Sequence, residues 1–335
     1  MCRVFSVSGS VSGLFPTAIV CVGYPQPRPS LHPQTLFLSE HRSSLRAMEV
    51  PFLGSEALRD GHVANKHQLR TRYRALFPGV YIDDGVVPNL SQRTMAAWLW
   101  TRRCAVVAGL AAAALHGSQY VADDVPIELI WSNPRAPRGI VTRRDRLARN
   151  EWELVAGVPV TMPERTAFDL ARLTRGDKAV ARLDALGNAT RFDRDLVAGL
   201  VERHRGSPGV PRVLPVLDLY DAGAESPRET WLRLLLIRAG FPRPRTQIPV
   251  YDDFGRARYR LDMGWGDEVM IAVEYDGELH RLPSRLGADI VRSEFIAHRG
   301  WTHIRVVAGV HPADIVNRVR RAWAASVHSD REIAS

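Results

Sequence analysis

Tyr259–His280, YRLDMGWGDEVMIAVEYDGELH, is the stretch on which the reading of this chain turns. Two apolar-rich runs, Tyr259–Trp265 and Val269–Tyr275, are broken by Gly264, Gly266 and Asp267. That pattern predicts a β-hairpin with Asp262 on one strand and Glu274 on the next. The second run has the continuous apolar character of a strand buried on both faces, and it ends in Glu274-Tyr275-Asp276-Gly277, which delivers two carboxylates at the strand exit. Three converging carboxylates, Asp262, Glu274 and Asp276, would repel one another unless a cation lay between them. Mg²⁺, or Mn²⁺ in its place, is the expected cation, because it takes hard oxygen ligands and needs few of them from protein.

An Asp on one strand followed by Glu-X-Lys on the next is the core pattern of PD-(D/E)XK nucleases. The longer pattern here, D…VEYDGELH…DIVR…GW…IRV across residues 226–325, resembles the Vsr-like, very-short-patch-repair branch of that group. The resemblance implies a restriction-endonuclease-like fold, a mixed sheet flanked by helices in the order α-β-β-β-α-β-α. It also implies metal-dependent hydrolysis of DNA phosphodiesters, with Asp262 and Glu274 as metal ligands. The usual Lys two residues after the Glu is replaced by Asp276, and no lysine follows Lys178. Asp276 cannot supply positive charge but suits a metal ligand. The resemblance then points to His280 as general acid or base and to Arg292 as a charge near the scissile phosphate or a clamp on Glu274 or Asp276.

Each of these residues also has a plainer reading. His280 is a polar residue at a strand exit, and Asp289 with Arg292, three apart, suits a solvated helix ion pair. Ser226-Pro227-Arg228-Glu229 has capping-box spacing at the start of an apolar helix, which accounts for Glu229 without catalysis. The family pattern places an acid assisting metal binding at the same position.

The chain has 335 residues, enough for two domains. Its net charge is +9 with a pI near 10.0, which favours acidic partners such as DNA. Lys66 and Lys178 are its two lysines, so the basic residues are nearly all arginine. A GC-rich genome accounts for most of that bias, and bidentate phosphate binding for the remainder. The longest apolar run, Ala105–Leu115, is too short to span a bilayer, so no membrane association is expected. Cys2, Cys21 and Cys104 lack metal-ligand spacing and cannot make a disulfide framework, which fits a reducing cytoplasm.

Residues 1–47 are rich in Ser and Pro and lack a clear signal-peptide pattern, so they are expected to be disordered or to precede the true start at Met48. Beyond them, Gly54–Arg59 and Lys66–Leu76 read as short helices and Phe77–Ile82 as a turn into a strand, compatible with a winged-helix-like element carrying Arg70, Arg72 and Arg74. Ser91–Arg103 and Ala105–His116 read as helices, Pro126–Trp131 and Gly139–Arg143 as strands, and Thr161 with Glu164 as a capping box. The order GVY, AGLAAAALHG, VPVTMPERTAFDLAR across residues 52–201 resembles the AbiEi-type antitoxin region of type IV toxin–antitoxin systems. Within it, Arg165 and Asp169 are four apart and read as an intrahelical ion pair, and His116 as a helix-end histidine.

The expected protein is therefore bacterial, cytoplasmic and α/β (α+β), with an AbiEi-like region over 48–220 that binds DNA or a partner and a Vsr-like endonuclease domain over 221–335. A toxin or a second copy of the chain is the expected protein partner. The rival from another class is a non-catalytic, antitoxin-like transcriptional regulator, motivated by the missing lysine. A third reading is a structural partner in a larger defence complex.

Overall fold

The computed structural model describes residues 49–267, 269–277 and 283–333. His280, Cys2, Cys21 and the segment 1–47 lie outside the described residues. The fold is mixed α+β with three separate sheets. The chain divides into two compact units, residues 1–169 with 195–207, and residues 170–194 with 208–335. The boundary read from the sequence at 220/221 falls inside the second unit.

The first unit opens with β1 (Phe52–Leu53), α1 (Gly54–Arg59), α2 (Lys66–Arg72), β2 (Tyr73–Phe77) and β3 (Val80–Asp83), forming a three-stranded sheet of order β1-β3-β2. The second helix stops at Arg72 rather than continuing to Leu76. Tyr73 and Phe77 are buried while Arg74 and Ala75 between them are exposed, and residues 73–77 pair with β3. Gly54 permits the close approach of α1 to the hairpin, since a Cβ there would lie 2.6 Å from the Tyr81 ring. Two helices separate the first and second strands of this sheet, an order compatible with the winged-helix-like element expected from the sequence.

Next come α3 (Leu90–Trp100), β4 (Val106–Ala108), α4 (Gly109–Leu115), β5 (Ile127–Ile130), β6 (Ile140–Arg143), β7 (Trp152–Val155) and β8 (Val158–Thr161). The strands form a five-stranded sheet of order β6-β5-β4-β8-β7. Residues 105–116 do not form one helix. Val106–Ala108 pairs antiparallel with β5 and parallel with β8, and the helix begins only at Gly109. Thr161 is likewise a strand residue and caps nothing. Its hydroxyl is buried against that of Thr166 at 2.7 Å, and the capping box of this unit is Asn89 with Gln92.

α5 (Pro163–Leu173) crosses the unit division, α6 (Asp177–Thr190) and α8 (Val213–Leu219) belong to the second unit, and α7 (Arg194–Arg203) lies almost wholly in the first. Cys104 is disulfide-bonded.

The second unit continues with α9 (Pro227–Arg238), β9 (Arg245–Tyr251), β10 (Ala257–Trp265), β11 (Ile271–Asp276), α10 (Pro283–His298), β12 (Thr302–Val307) and α11 (Pro312–Ile333). This is the expected α-β-β-β-α-β-α order. Strands β9, β10 and β11 form an antiparallel meander, and β12 joins parallel to β11 after the α10 crossover, giving the order β12-β11-β10-β9. Gly264 is required in the hairpin, because a Cβ there would meet the Ile271 carbonyl oxygen at 2.2 Å. Leu232 and Leu236 of α9 with Ile315 and Val319 of α11 pack on Ile271 and Val273. Ala272, alternating with those residues, packs instead with Ile296 of α10.

No helix among the described residues is long and apolar enough to cross a membrane.

Candidate functional site

The end of β11 carries the acids that the sequence singles out. Glu274 is 5% exposed, and its carboxylate accepts two hydrogen bonds from Arg292 of α10, Nη1 to Oε2 at 2.8 Å and Nη2 to Oε1 at 2.6 Å. His303 of β12 adds a third contact, Nε2 to Oε2 at 2.7 Å. Burial alone would raise the Glu274 pKa, yet the hydrogen bonds from His303 and Arg292, together with their charges, hold it below the usual carboxylate range. Arg292 is fixed in turn by the Arg260 carbonyl at 3.0 Å, so one guanidinium ties α10 to both β10 and β11. The Asp289–Arg292 ion pair expected on α10 does not form. Arg292 turns to Glu274, while Asp289 lies 3.8 Å from Arg305.

Asp276 accepts a hydrogen bond from Arg305 Nη2 at 2.5 Å. Asp262 takes the Tyr275 backbone N–H at 3.0 Å. Burial first, then the charges of Glu229 and Glu274, push its carboxyl up to about 7. Glu229 is raised too, chiefly by burial. Its contacts are those of a helix start: Ser226 Oγ accepts from Glu229 N–H at 3.2 Å and donates to Glu229 Oε1 at 2.8 Å, while Glu229 Oε2 accepts the Glu225 N–H at 2.9 Å. The reach-back is to Glu225, one residue earlier than in a standard capping box.

The structure therefore brings Glu229, Asp262, Glu274 and Arg292 into one electrostatic neighbourhood and sets Asp276 beside Arg305. His303 and Arg305 escaped the sequence reading. The signal was available: THIRVV alternates polar and apolar, and its parallel register on β11 sets Arg305 opposite Glu274.

This donor set, as arranged, does not fit a hard divalent cation. Three donors occupy Glu274 and a guanidinium holds Asp276. Among the described residues no group of three His, Cys, Asp or Glu side chains is placed to hold a metal.

A second charged cluster lies in the first unit. Arg165 is 1% exposed and Asp169 0%. Their expected i,i+4 pair is present at 3.4 Å but is only part of a wider network. Arg165 also binds Glu151, and Arg143 reaches Asp169 at 2.9 Å and Asp145 at 2.7 Å. His204 Nε2 contacts Glu151 Oε1 at 2.9 Å. His116 is the C-cap of α4, as expected, with Nε2 2.8 Å from the Thr161 carbonyl. These groups join strands and helices, the arrangement of a scaffold.

The three-stranded element at residues 52–83 presents a basic helix. In α2, Leu69 is buried with Ala57, Val63 and Tyr73, while Lys66, His67, Arg70 and Thr71 are exposed. Lys66 and Arg70 are four apart, as are His67 and Thr71, so they form one continuous face. Asn65 caps the helix by accepting the Gln68 N–H at 2.9 Å. Arg72 and Arg74 are exposed at its end and on β2.

Comparison with known proteins supports part of the sequence reading. The segment 105–219 matches the AbiEi antitoxin C-terminal domain, so the similarity begins after α3 and the three-stranded element lies outside it. Two proteins of Mycobacterium tuberculosis are similar to this chain, Uncharacterized protein MT2308 of strain CDC 1551 / Oshkosh and Uncharacterized protein Rv2248 of strain ATCC 25618 / H37Rv. Each is 33% identical over 154 residues, which is 46% of this chain and 56% of its own length. The chain thus spans about half the length of the curated relatives it matches. No solved structure matches it. The Vsr-like resemblance of residues 226–325 finds no counterpart in these comparisons, whereas residues 105–219 are similar to an antitoxin domain.

Proposed function

We propose that this protein is a DNA-binding regulator of the antitoxin type, acting with a toxin partner. The observation that carries the reading is the exposed face Lys66, His67, Arg70 and Thr71 on a winged-helix-like element, placed in the chain just ahead of the antitoxin-like segment. A helix in that position of a helix-turn-helix enters the major groove, with cationic side chains on phosphates and polar ones on base edges. The net charge of +9 supports association with DNA.

The test is selection of genomic fragments by the full chain, with and without chelator. Enrichment of a promoter, unaffected by chelator, is expected. Lys66→Ala with Arg70→Ala should weaken binding and reduce the salt slope by about 2. No enriched fragment would overturn the reading.

A second reading, a metal-dependent DNA endonuclease in residues 221–335, is favoured by the strand order and by the coupling of Glu229, Asp262 and Glu274. It requires Arg292 and Arg305 first to release Glu274 and Asp276. Chelator-sensitive cleavage of the bound fragments, lost in Asp262→Asn, would select it over the regulator.

A further inference from the structure

We infer that Arg292 is the resident cation of the carboxylate cluster in the second unit, and that the protein holds this site shut against divalent metal ions. The inference stands apart from the DNA-binding reading, since it concerns different residues.

Three observations carry it. The guanidinium meets Glu274 through two parallel hydrogen bonds, 2.8 and 2.6 Å, the fork geometry that makes arginine the best organic substitute for a bound cation. It is locked from behind by the Arg260 carbonyl at 3.0 Å, and its Cζ lies 5.8 Å from the Tyr259 ring centroid. His303 at 2.7 Å takes the third of the roughly four acceptor sites of Glu274, so a metal held by both oxygens would have to displace donors from two elements, α10 and β12. Asp262 lies close enough to feel the charges of both Glu274 and Arg292. The guanidinium thus sits on both oxygens of Glu274, where a cation held by that carboxylate would sit. The same argument applies to Asp276, whose partner Arg305 belongs to β12.

Mn²⁺ alone, added to the full chain and counted by electron paramagnetic resonance of the free ion, tests this. Wild type should bind no stoichiometric Mn²⁺ up to about 1 mM, whether or not duplex DNA is present. Arg292→Met should acquire about one equivalent, and adding Glu274→Gln should abolish it. Arg292→Gln, which keeps hydrogen bonding and loses the charge, carries the same expectation and replaces the Met variant if that one fails to fold. Methylguanidinium should compete with Mn²⁺ in the variant. Uptake of an equivalent by wild type that Glu274→Gln removes would overturn the inference. So would a folded Arg292 variant that takes up no Mn²⁺, because the guanidinium would then not occupy a cation position.

Discussion

Both units bury carboxylates, and they balance them differently. In the first, each buried acid is matched: Arg165 serves Glu151 and Asp169, and Arg143 serves Asp169 and Asp145. In the second, Glu274 is matched by Arg292 and Asp184 by Arg233, but the half-buried Asp262 makes no ion pair among the described residues and accepts only a backbone N–H. A balanced network holds elements together and has little left to offer a ligand. An unbalanced one keeps a carboxyl poised near neutrality, where its proton depends on what approaches. The difference lies in the count of guanidinium groups rather than in the acids.

Removing the balance in the first unit should have the largest effect. Arg165→Ala leaves Glu151 and Asp169 with buried charge and should destabilise by about 3–5 kcal/mol, read as a fall in the urea midpoint. A loss no larger than that of a helix cap would erase the contrast between the units.

The unbalanced site should show itself in pH dependence. Asp262 has its carboxyl raised from 3.8 to about 7, so the folded state binds the proton more tightly than the unfolded chain. Stability should therefore fall as pH rises from about 4 to about 7. Asp184, raised by burial to about 6 despite Arg233, adds a slope of the same sign. Asp262→Asn should remove the Asp262 share and stabilise the protein at pH 8 by about 1–2 kcal/mol. An unchanged pH profile would place Asp262 in the balanced class. Glu274, lowered from 4.5, works the other way, and its contribution is lost only as pH falls below that range.

The smallest effect separates capping from site chemistry at Glu229. Ser226→Ala should cost about 1 kcal/mol through loss of the cap. If it also moves the Asp262 titration, the cap and the carboxylate cluster are one unit.

Much of the second unit was legible because its signals are local. Gly264 and Gly266 marked the hairpin, Ser226-Pro227 marked the start of α9, and the apolar run of β11 marked a central strand. In the first unit, Val106–Ala108 was misread because alanine and valine in an unbroken apolar run carry no period, and only pairing with β5 and β8 makes them a strand. β7 was missed for a related reason, since Trp152-Glu153-Leu154-Val155 is short and half exposed. The acids of the candidate site were found from the sequence and most of their partners were not. Arg292 was expected either near the scissile phosphate or as a clamp on Glu274 or Asp276, whereas His303 and Arg305 meet their acids only through the parallel register, a long-range fact that spacing along the chain does not encode.

That parallel register also has a consequence during synthesis. Glu274 leaves the ribosome before Arg292 and His303, and the crossover through α10 must be complete before β12 can dock. Until then the carboxylate is better solvated by water than by its own strand. Strand β11, otherwise among the most apolar segments of the chain, thus carries a charge that opposes premature burial. The pairing partner that later cancels this charge arrives on the segments that complete the sheet, so a chain cut short before β12 should hold β11 in the open rather than in a misfolded core.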